Sequence, residues 1–206
     1  MNGKRIVFVD DEPGVCSVVS KTLERAGLDV RCFQSARDCL AHLAQTCCDL
    51  LVTDVRMPDM DGMTLLREAR QQMPWLPVLL VTGYGDVPTA VLAMKTGAID
   101  FIQKPFERDA FVCAVQSVLA KNVGLATLRS HALTRTEMKI LYLILEGKNN
   151  REIAAVSHRS PRTIEVHRGH IMQKLGVNNI IELLRRTSDM GLVQPNSPDA
   201  AGCLPQ

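Results

Sequence analysis

Long apolar runs are missing from this chain of 206 residues. None approaches the ~18 residues that a membrane-crossing helix requires, although 46% of the residues are hydrophobic. Residues 6–9 form a short apolar run that turns acidic at Asp10, too brief for the core of a secretory signal. The expected location is therefore cytoplasmic, with no membrane partner. Paired cysteines are missing as well. The seven cysteines include no C-x-x-C pair, and Cys47 and Cys48 are neighbours. That usage predicts reduced thiols rather than a disulfide framework or a thiolate metal site. Net charge is also scarce, at +2 overall, but it is unevenly spread.

Residues 1–123 carry 13 Lys/Arg against 15 Asp/Glu, whereas residues 124–206 carry 11 against 7 and four of the five histidines. Seven of the eight aromatic residues fall in the first part. An acidic segment joined to a basic one implies two domains with different partners, the basic one suited to a polyanion.

The first part alternates apolar runs with amphipathic stretches. Runs at residues 6–9, 30–33, 50–52, 78–81 and 99–102 read as buried parallel strands. Helical spacing links Val15, Val18, Val19, Thr22 and Leu23, and again Phe111, Val115, Val118 and Leu119. Five β/α units predict a doubly wound parallel sheet with its site at the carboxyl ends of the strands. The predicted organisation is a first domain over residues 1–121, a linker over 122–132, a helical domain over 133–192 and a disordered tail over 193–206.

Asp10, Asp11 and Glu12 follow the first strand, Asp54 ends the third, Thr82 ends the fourth and Lys104 follows the fifth. Parallel strands bring these ends to one edge. Carboxylates gathered there repel unless a cation joins them, and hard oxygen ligands suit Mg²⁺. A lysine and a hydroxyl facing a carboxylate suit a phosphoryl group carried on that carboxylate. Any one strand-end aspartate could equally cap a helix; the coincidence over four strands favours a site.

The segments Val7-Phe8-Val9-Asp10-Asp11-Glu12, Thr53-Asp54-Val55-Arg56-Met57-Pro58-Asp59-Met60-Asp61-Gly62, Val81-Thr82-Gly83-Tyr84 and Asp100-Phe101-Ile102-Gln103-Lys104-Pro105 resemble the receiver domain of two-component response regulators. The resemblance implies a flavodoxin-like, five-stranded fold with Asp54 as phosphoacceptor. It implies Mg²⁺ held by Asp10, Asp11, Asp54 and the backbone carbonyl of Arg56. Thr82 and Lys104 would bind phosphoryl oxygens, Phe101 would be the switch aromatic, and Lys104-Pro105 would be a cis peptide. Arg56 and Tyr84 flank the site, either slowing hydrolytic water or merely covering the surface.

The second part reads as purely helical. Thr134 and Glu137 form a capping box, Asn149 and Glu152 open the next helix, and Ser160-Pro161 opens a third. Gly147 and Gly176 close helices, and a fourth runs from about residue 180 to 190. Residues 148–174 carry six Lys/Arg and two Glu. Two capped helices joined by a short turn describe a helix-turn-helix whose second helix reads DNA.

Leu133-Thr134-Arg135-Thr136-Glu137, Asn150-Arg151-Glu152-Ile153-Ala154, Ser160-Pro161-Arg162-Thr163-Ile164-Glu165-Val166-His167-Arg168 and Lys174-Leu175-Gly176-Val177 resemble the LuxR/NarL-type helix-turn-helix, an all-α, four-helix domain. With the receiver, the chain is similar to the FixJ-like branch of regulators. The resemblance puts Glu165, Val166 and Gly169 towards base edges, and Arg162, Thr163, His167 and Lys174 at or near the DNA backbone. Ser157 and Arg159 stand where that family has apolar residues, and His158 where it often has glycine, so the turn is expected to be looser.

The expected function is a transcriptional regulator activated by phosphorylation of Asp54 by a sensor histidine kinase. It would bind double-stranded DNA, dimerise on phosphorylation and engage RNA polymerase if an activator. The dimer face is placed within residues 87–106, with Val91 and Lys95 as candidates. Enzymatic turnover is not expected beyond slow self-dephosphorylation. The alternatives are a Mg²⁺-dependent aspartyl-phosphate phosphatase and a DNA-binding regulator indifferent to phosphate.

Overall fold

A computed structural model describes residues 3–83, 87–121, 133–190 and 192. The chain divides into two compact units, Met1–Asn122 and Val123–Gln206. The expected linker and tail, and Tyr84, lie outside the described residues.

Among the described residues of the first unit five strands alternate with five helices: β1 (Arg5–Val9), α1 (Pro13–Arg25), β2 (Asp29–Phe33), α2 (Ala36–Gln45), β3 (Leu50–Asp54), α3 (Gly62–Gln72), β4 (Val78–Thr82), α4 (Val87–Thr96), β5 (Asp100–Gln103) and α5 (Arg108–Lys121). The sheet is parallel with order β2-β1-β3-β4-β5. Successive residues of a strand point to opposite faces, so the central strands serve two cores. Val7, Val9, Leu51, Val78 and Leu80 pack with Leu43, Leu65, Leu66 and Ala93 on one side. Ile6, Phe8, Leu50, Val52, Leu79 and Val81 pack with Val19, Leu23, Phe111 and Val115 on the other. This two-sided burial explains the unbroken apolar runs in β3 and β4.

Chain direction across the sheet reverses beside β1, whose neighbours are β2 and β3. Loops leaving β1 and β3 diverge there to opposite faces, and a crevice opens at their carboxyl ends.

Among the described residues of the second unit are four helices: α6 (Arg135–Leu145), α7 (Asn150–Ser157), α8 (Pro161–Leu175) and α9 (Ile180–Asp189). Thr134 and Asn149 each complete a capping box, Ser160 Oγ accepts from Thr163 N, and Asn179 caps α9 through Glu182 N. Gly147 (φ 81°) and Gly176 (φ 65°) reverse the chain after α6 and α8, a conformation costly to residues with a Cβ.

One expected stripe shifts, and α7 shows the same effect. Val18 is 50% exposed, and α1 instead buries Cys16, Val19 and Leu23. Val156 is 48% exposed, and α7 buries Ile153 and Ala154. In both helices the apolar residues span more than the arc that a neighbour can cover, and those at its margin face water.

The backbone of the turn after α7 is hydrogen-bonded, whereas Ser157 Oγ is buried without a partner. His158 takes the left-handed conformation (φ 51°, ψ 46°), and the amides of His158 and Arg159 return to Ala155 and Ala154 carbonyls at 3.3 and 2.9 Å. Arg159 is exposed there and displaces no core.

Candidate functional site

The carboxyl edge of the sheet gathers the expected acidic residues. Asp10 directly follows β1 and is fully buried; Asp54 is the last residue of β3 and 6% exposed. Backbone pairing fixes both: Asp10 N donates to Phe33 O at 3.1 Å, and Val55 N to Val81 O at 2.8 Å. Lys104 directly follows β5 and precedes a cis Lys104-Pro105 peptide, and its own amide donates to Thr82 O at 2.7 Å. Its Nζ then reaches Asp10 Oδ2 at 2.6 Å and Asp54 Oδ1 at 2.7 Å.

One ammonium thus bridges two buried carboxylates. Burial works to lower the Lys104 pKa, but the hydrogen bonds and charges of Asp10 and Asp54 outweigh it and raise it above 10.5. The remaining oxygens accept backbone amides, Asp10 Oδ1 from Glu12 N at 3.0 Å and Asp54 Oδ2 from Arg56 N at 2.7 Å.

The other residues expected at the site fall around this centre. Asp11 and Arg56 are exposed at its rim. Thr82 ends β4 and is buried. Phe101 in β5 is half-buried against the core built on α2, α3 and α4. Gly62 has a steric role at this edge. A Cβ there would lie 2.0 Å from the backbone oxygen of Asp54, so only glycine lets α3 start against the end of β3. Asp59, in the intervening loop, takes φ 67°.

In the second unit, Arg162, Glu165, Val166, Gly169, His170 and Gln173 of α8 are all exposed. Their spacing makes one outward stripe along the helix. It contains four of the expected DNA-contact residues and adds His170 and Gln173. Thr163 is half-buried, its hydroxyl 2.8 Å from Ser160 Oγ.

Two of the residues expected at the DNA backbone also have partners or surroundings within the domain. Lys174 Nζ bonds Glu137 Oε2 of α6 at 2.8 Å, and His167 is half-buried with Nδ1 enclosed and unpartnered. Helical periodicity explains both, because positions 164, 167, 171 and 174 share the side of α8 that packs on α6. Glu137 does more than cap α6. It is 4% exposed, and its carboxylate serves Thr134 N at 2.7 Å as well as Lys174. No local signal couples positions 37 residues apart, so this ion pair was invisible in the sequence. Arg168 likewise ties α8 to α7, through Asn150 Oδ1 at 2.7 Å.

Comparison with known proteins agrees with both halves. Residues 6–116 match the response regulator receiver domain family, and residues 131–187 match the luxR family of bacterial regulatory proteins. The transcriptional regulatory protein FixJ of Bradyrhizobium diazoefficiens is 36% identical over 91% of this chain and 96% of its own length. The chain belongs to the FixJ-like response regulators. TtrR of Salmonella typhimurium, a tetrathionate response regulatory protein, is 35% identical over 90% of the chain and 92% of its own length. The solved structure of full-length FixJ from B. japonicum is similar at 33% identity, covers 94% of this chain and 100% of its own, and has a TM-score of 0.56.

As a FixJ-like regulator, the chain couples a receiver domain to a LuxR-type DNA-binding domain in phosphorylation-dependent two-component regulation. DNA and a sensor kinase are the partners that these two domains imply. Receiver domains generally use Mg²⁺ for phosphorylation. Among the described residues no helix is long and apolar enough to cross a membrane.

Proposed function

We propose that Asp54 is the phosphoacceptor of this regulator and that its phosphorylation drives dimerisation and DNA binding. The observation that carries this is the position of Asp54 at the end of β3, its carboxylate held 2.7 Å from Lys104 Nζ. An Asp54 oxygen forms the bond to phosphorus as the P–N bond of the kinase phosphohistidine breaks. The imidazole leaves and takes up a proton. Lys104 and Thr82 then hold phosphoryl oxygens, and Phe101 packs towards Thr82 without a hydroxyl to satisfy.

The donor set suits Mg²⁺. Asp10, Asp11 and Asp54 with Lys104 leave two negative charges uncompensated, and every donor, including the Arg56 carbonyl, is a hard oxygen. When bound, the ion neutralises charge on phosphoryl and carboxylate oxygens.

The protein acts as a phosphoryl acceptor and not as a phosphatase, because Arg56 stands two residues after Asp54 where a phosphatase of this chemistry places its acidic group. Arg162, Glu165, Val166 and Gly169 meet DNA, and Val91 and Lys95 lie on the dimer face. RNA polymerase is the further partner where the regulator activates.

Acetyl phosphate with Mg²⁺ is expected to add one phosphoryl group to the wild type and none to Asp54→Asn, and to extend the DNase footprint only of the wild type. Undiminished labelling of Asp54→Asn overturns the assignment. For the reading helix, binding-site selection with Glu165→Ala is expected to change the preferred base at one position by ~1–3 kcal/mol; an unchanged preference removes Glu165 from the readers.

A further inference from the structure

Glu137 of α6 and His167 and His170 of α8 place one carboxylate oxygen and two imidazole nitrogens within 4.8 Å of one another. We propose that these three side chains form a binding site for a borderline divalent transition ion, zinc by its chemistry, in the DNA-binding domain.

The donor set is the first argument. Two imidazoles and a carboxylate are a ligand combination that zinc accepts, with a fourth position left to water. His167 and His170 are three apart on one helix and so project from neighbouring positions, while Glu137 comes from the helix packed beneath. Glu137 is 4% exposed, His167 half-buried and His170 exposed, so the ligands run from the interior to the surface and give an ion a way in.

The second argument is an unmet need. Nδ1 of His167 is enclosed without a hydrogen-bond partner, although buried ring nitrogens ordinarily find one. The Thr134 amide and the Lys174 ammonium both bond Glu137 Oε2. A tetrahedral ion with bonds of about 2.0–2.1 Å sets its ligand atoms about 3.4 Å apart. From within 4.8 Å, modest side-chain rotations close the remaining gap.

Lys174 is the competitor. Its ammonium lies 2.8 Å from Glu137 Oε2, with 33% of the side chain exposed. A divalent ion repels it towards water. Once bound, the ion links α6 to α8 and draws His170 out of the outward stripe of the reading helix. Nothing in the receiver takes part, so the site stands or falls independently of phosphorylation at Asp54.

The test uses full-length, reduced, metal-free protein in excess Mg²⁺, which occupies the acidic edge of the receiver. Titration with Co²⁺ is expected to give one equivalent with visible d–d bands and no sulfur-to-cobalt charge transfer, displaced by Zn²⁺. His170→Ala leaves a solvent-facing position and keeps the fold; it is expected to lose the bands and to weaken Zn²⁺ binding about tenfold or more. Lys174→Met is expected to tighten Zn²⁺ binding by removing the competing charge. Equal stoichiometry and affinity in the wild type and His170→Ala, or cobalt spectra of thiolate type unchanged by that substitution, overturn the proposal.

Discussion

Gly62 shows how much a single missing methyl decides. Its absent Cβ leaves room for the Asp54 carbonyl, which would otherwise be 2.0 Å away, and for Val55 Cα at 3.0 Å. Both neighbours are backbone and cannot rotate aside. Gly62→Ala is expected to lower the unfolding free energy by about 1–3 kcal/mol or more and to slow phosphoryl incorporation by moving Asp54; a urea titration and acetyl phosphate labelling read the two effects.

Glu137 is the other informative residue. Burial works to raise its pKa, but the Lys174 bond and the Thr134 cap outweigh that and lower it below 4.5. A carboxyl depressed in the folded state contributes stability above its ordinary pKa, and this is lost as pH falls through the depressed value. Glu137→Gln is therefore expected to cost about 1–2 kcal/mol at neutral pH. The gap from the wild type closes below about pH 4.5 in thermal melts recorded across pH. The acceptor-edge acids were legible from the sequence because strand ends in a parallel sheet share an edge. The Glu137–Lys174 pair was not, because pairing across helices depends on rotation about each helix axis.

Helix boundaries were the most readable elements, since caps are local chemistry. Thr134, Asn149, Ser160, Gly147 and Gly176 all act where their residue types predict. The buried faces were less readable. Val18 and Val156 fit the helical period yet face water, because the period names a stripe and the neighbouring element decides its width. The turn between α7 and α8 carries a further prediction. His158 holds φ 51°, a region disfavoured for a residue with a Cβ by roughly 1–2 kcal/mol. After the extra chain entropy of glycine is subtracted, His158→Gly is expected to gain a few tenths to about 1 kcal/mol, seen as a higher melting temperature of the helical unit. An unchanged or lower value would show that the imidazole makes a compensating contact.

At the scale of the whole molecule, the two-unit division follows the charge asymmetry visible in the composition, with the acidic receiver ahead of the basic helical unit. Helix α4 leaves Val87, Val91, Leu92 and Met94 between 46% and 75% exposed. Such apolar exposure on one short helix suits an interface between copies. Sedimentation is expected to show a shift from monomer to dimer on phosphorylation, abolished by Val91→Asp; a phosphorylated wild type that remains monomeric at tens of micromolar rejects this face. The alternating commitment of β3 to two cores has a consequence for how this gene can vary. A substitution inside either core is a graded injury. Deleting one residue from β3 would exchange both faces at once and withdraw Asp54 from Lys104 in the same step. Heritable change that keeps the acceptor in place is therefore expected at exposed rim positions such as Arg56, where the side chain can be exchanged while the strands beneath keep their frame.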